Sequence, residues 1–283
     1  MTLPEVVIVN GARTPFCEWS GGKRGDGEVG GLLRNVSALK LGTEAIKGAL
    51  ENSNTPATTV DHVVMGYALQ TCGQAIFGAR HAGLSAGIPE EVPMLTLSRI
   101  CGSGIQAIIS SSQMIQLGEA NTVVAGGMEN LSQAPHVLRD MRDTYRLGRP
   151  PKAGEELTKD MDDYLFTNLL DGMCGSFMAQ TSDELCRRKG ITREETDAFA
   201  ALSHTRTAAS IDSGKWAKEI VAIDNGERMV NHEDEDHVVR GTTPETLSEL
   251  RTAFGEDSLV TAGNASGVVD GAAVVVIKSK AQA

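Results

Sequence analysis

Apolar and polar positions follow two alternating periods along the first half of the chain. Short, mostly apolar runs typical of buried strands alternate with stretches whose apolar residues recur every three or four positions, as on one face of a helix. The predicted strands are 6–9, 60–69, 94–100 and 122–126, and the predicted helices are 38–50, 74–84 and 105–117. This alternation predicts an α/β fold with a mostly parallel sheet covered by helices, and ligand sites at the carboxyl ends of strands.

The pattern changes between residues 133 and 259, where charged residues become more frequent and the alternation stops. A helix is predicted from Thr192, which with Glu195 forms a capping box, to Ser213, just before Gly214. The strand pattern resumes only at 274–277. We therefore expect a core domain made of 1–132 and 260–283, with 133–259 inserted between two strands of one sheet.

Composition narrows the class of protein. The chain has 283 residues, of which 41% are hydrophobic, so it can bury a substantial core. A net charge of -11 disfavours nucleic acid as a partner, because phosphate binding needs clustered lysine and arginine. The start of the chain shows no leader, and no apolar run is long enough to span a membrane. We expect a cytoplasmic location.

The five cysteines carry the candidate chemistry. Their odd number and their spacing indicate neither a disulfide framework nor a metal site, so reduced thiols are expected. Cys101 stands out because it lies where a predicted strand gives way to a predicted helix. The free N–H groups and the dipole of a helix N-terminus favour a thiolate, and the glycines at 102 and 104 leave room for a substrate. The alternative for an isolated cysteine is a buried structural role.

The residues around Cys101, SRICGSGIQA at 98–107, resemble the nucleophile segment of the thiolase family, whose members make or cleave 3-oxoacyl-CoA thioesters. Three further segments agree in order. They are VIV at 7–9 with ARTPF at 12–16, VVAGGME at 123–129 with its following loop to His136, and VTAGNASG at 260–267 with DGAA at 270–273. The resemblance covers nearly the whole chain and implies a thiolase-like fold in which 133–259 is the loop domain that covers CoA.

The resemblance also assigns functions to matching positions. It implies that Cys101 is the acyl-carrying nucleophile, that Ala262, Ser266 and Gly267 lie along pantetheine, that Phe254 lies near adenine, and that Met178 lines the acyl pocket. It implies CoA as a substrate and no permanently bound cofactor. The alternatives are an ordinary turn hydroxyl for Ser266 and core packing for Phe254 and Met178. The sequence departs from the family pattern at two positions of the acyl site, with Ser98 in place of asparagine and Ala179 in place of glycine. The identity of the acyl group is therefore not predicted.

Thiolases have a second half that carries an activating histidine and a second catalytic cysteine, and its segments do not occur in this sequence. We therefore expect a second thiolase-like subunit that completes the enzyme, and also association between copies of this chain. Two functional hypotheses remain: the nucleophile-bearing subunit of a split thiolase, and a non-catalytic scaffold or CoA-binding subunit. A ketosynthase is a weaker third reading, because the GGME and NASG segments fit thiolases better.

Overall fold

The computed structural model describes residues 3–19, 31–143, 145, 148 and 161–283. Part of the predicted insertion, including 149–160, therefore lies outside the described residues. The strands are β1 (Val6–Arg13), β2 (Cys17–Glu18), β3 (His62–Gly66), β4 (Met94–Leu97), β5 (Thr122–Glu129), β6 (His136–Leu138), β7 (Met161–Asp163), β8 (Leu170–Asp171), β9 (Ser176–Phe177), β10 (Ile223–Asp224), β11 (Met229–Val230) and β12 (Val269–Ser279). The helices are α1 (Ala38–Asn52), α2 (Gly78–Ser85), α3 (Ser103–Gln116), α4 (Tyr164–Asn168), α5 (Met178–Lys189), α6 (Arg193–Asp212) and α7 (Pro244–Ser248).

The main sheet has the strand order β1-β12-β5-β3-β4, and β2 pairs with the start of β12. Strands β5, β3 and β4 pair in parallel. Strand β12 is antiparallel to both of its long neighbours, β1 and β5. Among the described strands of this sheet, only β12 runs against the others, which confirms the predicted α/β fold with a mostly parallel sheet.

Helices cover both faces of the sheet. Because successive side chains of a strand point to opposite faces, Val63 and Val124 pack with α1 and α2, whereas Val64 and Val123 pack under α3. Ile46 of α1 is fully buried in the first cluster, and burying such a side chain contributes about 1.5–3 kcal/mol to folding. The two layers hold β3, β4 and β5 rigidly, so the loops after these strands start from fixed points.

The face that carries α3 is incompletely covered among the described residues. Ile8 of β1 pairs directly with Ile277 of β12, so both side chains point to this face, yet Ile8 is 58% exposed. On α3, Ile105 and Ile109 lie one turn apart and are also exposed. Parallel α/β sheets normally have both faces covered. We use the term uncovered apolar face for these exposed positions on the α3 side of the sheet, Ile8 on β1 and Ile105 and Ile109 on α3.

The inserted segment packs partly on the core. Hairpin β10–β11 places Ile223 and Val230 in the main hydrophobic cluster, where both are fully buried. A salt bridge of 2.5 Å joins the Arg13 side chain to Glu235, whose side chain is fully buried. The Arg13 guanidinium also stacks on the ring of Trp216, 4.5 Å from its centroid. These contacts fix 216–235 against β1, while α6 and α7 form a small separate cluster.

Two predicted strands end earlier than their apolar runs. The predicted strand 60–69 ends at Gly66, because the Glu129 carboxylate accepts the N–H groups of Ala68 and Leu69. The predicted strand 94–100 ends at Leu97, since the chain turns sharply at Ile100. The predicted strand 274–277 is too short, because it covers only the middle of β12.

Candidate active site

Cys101 lies in a sharp turn between β4 and α3. Ile100, immediately before it, has φ = 50°, a left-handed conformation that is strained for a β-branched residue. Gly102 is the N-cap of α3, which begins at Ser103. The Cys101 residue is exposed. The turn therefore presents the thiol at the helix N-terminus rather than burying it in the core.

The side chain of Ser103 ties this turn together. Its Oγ accepts a hydrogen bond from the Arg99 N–H at 2.8 Å and donates one to the Ile100 carbonyl at 2.6 Å. The Ser103 N–H donates to the same carbonyl at 3.1 Å. One buried serine thus satisfies polar backbone groups on both sides of the strained peptide.

Glycines bring the strand ends close to the turn. A Cβ atom built on Gly66, the last residue of β3, would lie 2.6 Å from Cβ of Ser103. A Cβ atom built on Gly127 of β5 would lie 3.6 Å from the Cα of Gly104. A Cβ on Gly104 would meet no atom within 4 Å, so open space lies beside this glycine. The carboxyl ends of β3, β4 and β5 therefore converge on Cys101, as expected for ligand sites in parallel sheets.

Glu129 lies at the end of β5 and is a functional candidate that the sequence did not indicate. Its two oxygens accept the N–H groups of Ala68 and Leu69 at 3.0 and 3.1 Å, which shapes the loop after β3. Burial raises the pKa of this carboxyl to about 7, with a smaller contribution from the charge of Asp270. Asp270 accepts hydrogen bonds from the Ser132 N–H and hydroxyl, and burial raises its pKa as well.

The turn at 261–267 is held by the inserted segment. The Nδ2 of Asn264 donates to Asp197 of α6 at 2.9 Å, and its Oδ1 accepts the Thr261 N–H at 2.8 Å. Asp197 is 1% exposed and forms a 2.7 Å salt bridge with Arg193. This network leaves Ala262, Ser266 and Gly267 at the exposed outer side of the turn.

Met178 and Phe254 lie in one aromatic group on the inserted segment. The Phe177 ring lies between those of Phe166 and Phe254, with centroid distances of 4.6 and 6.0 Å. Met178 is the first residue of α5, directly after Phe177, and is 42% exposed, as is Phe254. The five positions predicted to contact CoA therefore lie on the inserted segment, at Met178 and Phe254, and on the turn that closes it, at Ala262, Ser266 and Gly267.

Comparison with known proteins shows to which family this chain belongs. A family model described as the thiolase N-terminal domain matches residues 6–281. The human mitochondrial 3-ketoacyl-CoA thiolase is 39% identical over 97% of this chain, and an acetyl-CoA acetyltransferase of Allochromatium vinosum is 38% identical over 93% of it. This chain belongs to the thiolase family. It spans 65% of the length of each of these two relatives.

Solved thiolase structures agree with the fold over the whole chain. The human mitochondrial 3-ketoacyl-CoA thiolase in complex with CoA superposes with a TM-score of 0.85 at 38% identity, and covers 99% of this chain and 66% of its own. The acetyl-CoA acetyltransferase of Syntrophomonas wolfei superposes with a TM-score of 0.83 at 30% identity, covering 99% of this chain and 66% of its own. The similarity therefore extends over 99% of this chain and 66% of each of the two thiolases.

Cys17 of this thiolase chain differs from Cys101. All five are free thiols. Burial, together with the carboxylates of Asp236 and Glu235, raises the pKa of the Cys17 thiol, which makes Cys17 a poor nucleophile. Within the described part of the chain, no group of three metal-ligating side chains occurs, and no helix combines the length and apolarity that a membrane span needs. The cytoplasmic location stays a prediction.

Proposed function

We propose that this chain carries the nucleophile of a thiolase that cleaves or forms 3-oxoacyl-CoA through an acyl thioester on Cys101. The observation that supports the proposal is the exposed thiol at the N-terminus of α3, presented by a strained turn on which three strand ends converge. Helix N-terminal N–H groups and open space beside Gly104 suit a thiolate that attacks a carbonyl carbon.

In the degradative direction, the Cys101 thiolate attacks the 3-oxo carbon and forms a C–S bond. The bond between C2 and C3 then breaks, and acetyl-CoA leaves as an enolate that takes a proton from an acid. Free CoA loses its proton to a base and attacks the thioester, which releases a shortened acyl-CoA and restores the thiolate. The Cys101 N–H donates one hydrogen bond to the oxyanion in both steps, a contact worth about 3 kcal/mol.

The CoA part of the substrate is assigned to the insertion and its closing turn. Ala262, Ser266 and Gly267 contact pantetheine, Phe254 lies at the adenine, and Met178 lines the acyl pocket. Two features support this assignment: the turn is anchored from inside by the buried Asp197, so its outer side is free, and the aromatic group leaves Met178 and Phe254 partly exposed. CoA enters as a substrate rather than as a bound cofactor.

The acid and base of the reaction come from a second, thiolase-like chain that completes the enzyme. The uncovered apolar face of Ile8, Ile105 and Ile109 supports this part of the proposal, because it lies on the α3 side of the sheet and is available for a further layer. Copies of this chain also associate with one another, for which the edge strand β4 and its exposed Leu95 are suited.

The test is to purify the tagged chain from its own cells, with any chain that accompanies it, and to treat it with acetoacetyl-CoA. Mass spectrometry is expected to find an acetyl group on Cys101, and none in a Cys101→Ala variant. Cys174 is also exposed, so a Cys174→Ala variant that keeps the adduct is the matched control.

Two results would contradict parts of this proposal. An assembly that binds CoA but never acylates Cys101 would identify the chain as a non-catalytic subunit. Full thiolysis by the isolated chain would remove the need for a second subunit while leaving the role of Cys101 intact.

A further inference from the structure

Ile100 has a strained backbone conformation, and Ser103 binds the carbonyl of the peptide that joins Ile100 to Cys101. Ile100 has φ = 50°, although it is β-branched and 62% exposed, so core packing does not impose this conformation. Hydrogen bonds hold the turn: the Arg99 carbonyl accepts the Gly102 N–H at 3.0 Å, and the Ile100 carbonyl accepts from the Oγ and the N–H of Ser103 at 2.6 and 3.1 Å.

The orientation of this carbonyl determines the orientation of the N–H of Cys101. Both groups belong to one planar trans peptide, in which the C=O and N–H bonds point in opposite directions. Ser103 draws the carbonyl toward the helix, so the Cys101 N–H must point away from it. The absence of a Cβ on Gly66 leaves room for Ser103 to sit behind the turn.

We propose that Ser103 is a positioning residue that aims the Cys101 N–H at the oxyanion of the thiolase reaction. The inference rests on the proposed function of Cys101 and adds to it a separate residue with a separate test. Without the serine hydroxyl, Ile100 loses the shorter of two hydrogen bonds and relaxes toward negative φ, which rotates the shared peptide. The thiol itself then remains exposed, but its oxyanion donor no longer has the right direction.

Two reactions of the same thiol separate this role from a general structural one. Acylation by acetoacetyl-CoA passes through an oxyanion, whereas alkylation by iodoacetamide does not. In the assembled enzyme, Ser103→Ala is expected to slow acylation of Cys101 by about 10- to 100-fold while alkylation changes less than about 2-fold. The matched control is Ser111→Ala, which removes another buried α3 hydroxyl, bonded to the Ala107 carbonyl, and should change neither rate.

A second variant keeps the inference testable if Ser103→Ala folds poorly. Asparagine tolerates the left-handed region, so Ile100→Asn in the Ser103→Ala background is expected to restore both folding and most of the acylation rate. Equal losses in acylation and alkylation, or full acylation by Ser103→Ala, would overturn the inference. Absence of acylation in the unaltered enzyme would instead overturn the proposed function.

Discussion

Asn264 and Asp197 are joined by a hydrogen bond of 2.9 Å that links the turn at 261–267 to helix α6. The bond connects the closing turn of the insertion with the second turn of α6, the longest helix among its described residues. Asp197 also pairs with Arg193, whose guanidinium donates to the Leu247 and Leu250 carbonyls. One buried carboxylate therefore organises three segments of the chain.

Removal of that carboxylate should cost stability. Asp197→Ala leaves the Arg193 charge and the Asn264 amide without their partner, so the free energy of unfolding is expected to fall by about 3 kcal/mol. Denaturant unfolding measures this loss. The control is Asp212→Ala, whose pair with Arg240 is exposed on both sides, so its removal should leave stability almost unchanged. Equal effects of the two substitutions would contradict the organising role of Asp197.

Glu129 should give folding stability a distinctive pH dependence. Its pKa of about 7 in the folded chain lies above the ordinary value of 4.5, so the folded state binds more protons between these values. The contribution is fully present below pH 4.5 and is lost as the pH rises through about 7. Relative to Glu129→Gln, the unaltered chain is expected to lose about 3 kcal/mol over this range.

The measurement is the difference in unfolding free energy between the two proteins at a series of pH values, since constant effects of the substitution cancel. Glu184→Gln serves as the comparison, because the Glu184 carboxyl is exposed and its arginine partners lower its pKa. That variant should show no such loss between pH 4.5 and 7. If the difference in unfolding free energy between the unaltered chain and Glu129→Gln does not change with pH, the Glu129 carboxyl has an ordinary pKa.

Alanine substitutions at two glycines near Cys101 should affect stability and activity differently. In Gly66→Ala, the new Cβ would lie 2.6 Å from Cβ of Ser103 and 2.9 Å from its backbone carbon, so a loss of about 1–3 kcal/mol is expected. Gly104→Ala meets no atom and replaces a poor helix former in α3, so stability should rise by up to about 1 kcal/mol. Because the same methyl narrows the approach to Cys101, acylation by acetoacetyl-CoA should slow.

Thermal unfolding and acylation rates of both variants check this pair of predictions. A Gly104→Ala enzyme that is more stable and fully active would show that substrate does not approach Cys101 over this residue.

The uncovered apolar face should matter for assembly and not for folding. Replacement of Ile105 and Ile109 by lysine affects exposed side chains, so the stability of the isolated chain should change by less than about 0.5 kcal/mol for each substitution. Association with the proposed second chain should weaken at least tenfold, as measured by sedimentation. Phe199→Lys, at an exposed apolar position on α6, is the control and should leave association unchanged. Loss of association in the control alone would place the interface elsewhere.

Local sequence signals predict those parts of the structure that depend on residues close together in the chain. Helix α6 begins after Thr192, and its capping box with Glu195 is present as predicted. The Cys101 turn was also found from adjacent residues. Strand ends were predicted less well, because β3 ends where Glu129, distant in sequence, takes up the N–H groups of Ala68 and Leu69.

The supporting residues of the candidate site could not be found from the sequence. Asp197 looks like an ordinary acidic residue of a charged helix, and only the folded chain shows that it is buried against Asn264. Phe177 follows no recognisable motif, yet its ring joins Phe166 to Phe254. Such roles arise from contacts between distant segments, which a periodic pattern does not encode.

The position of β12 has a consequence for biosynthesis. This strand lies between β1 and β5, although a long segment of sequence separates it from both of them. Until it emerges, β1 has no partner on its inner side and β5 has an open edge, so the nascent sheet is exposed to misassociation. Pairing across such a sequence separation is slow, and we expect the growing polypeptide to depend on chaperones until β12 has emerged.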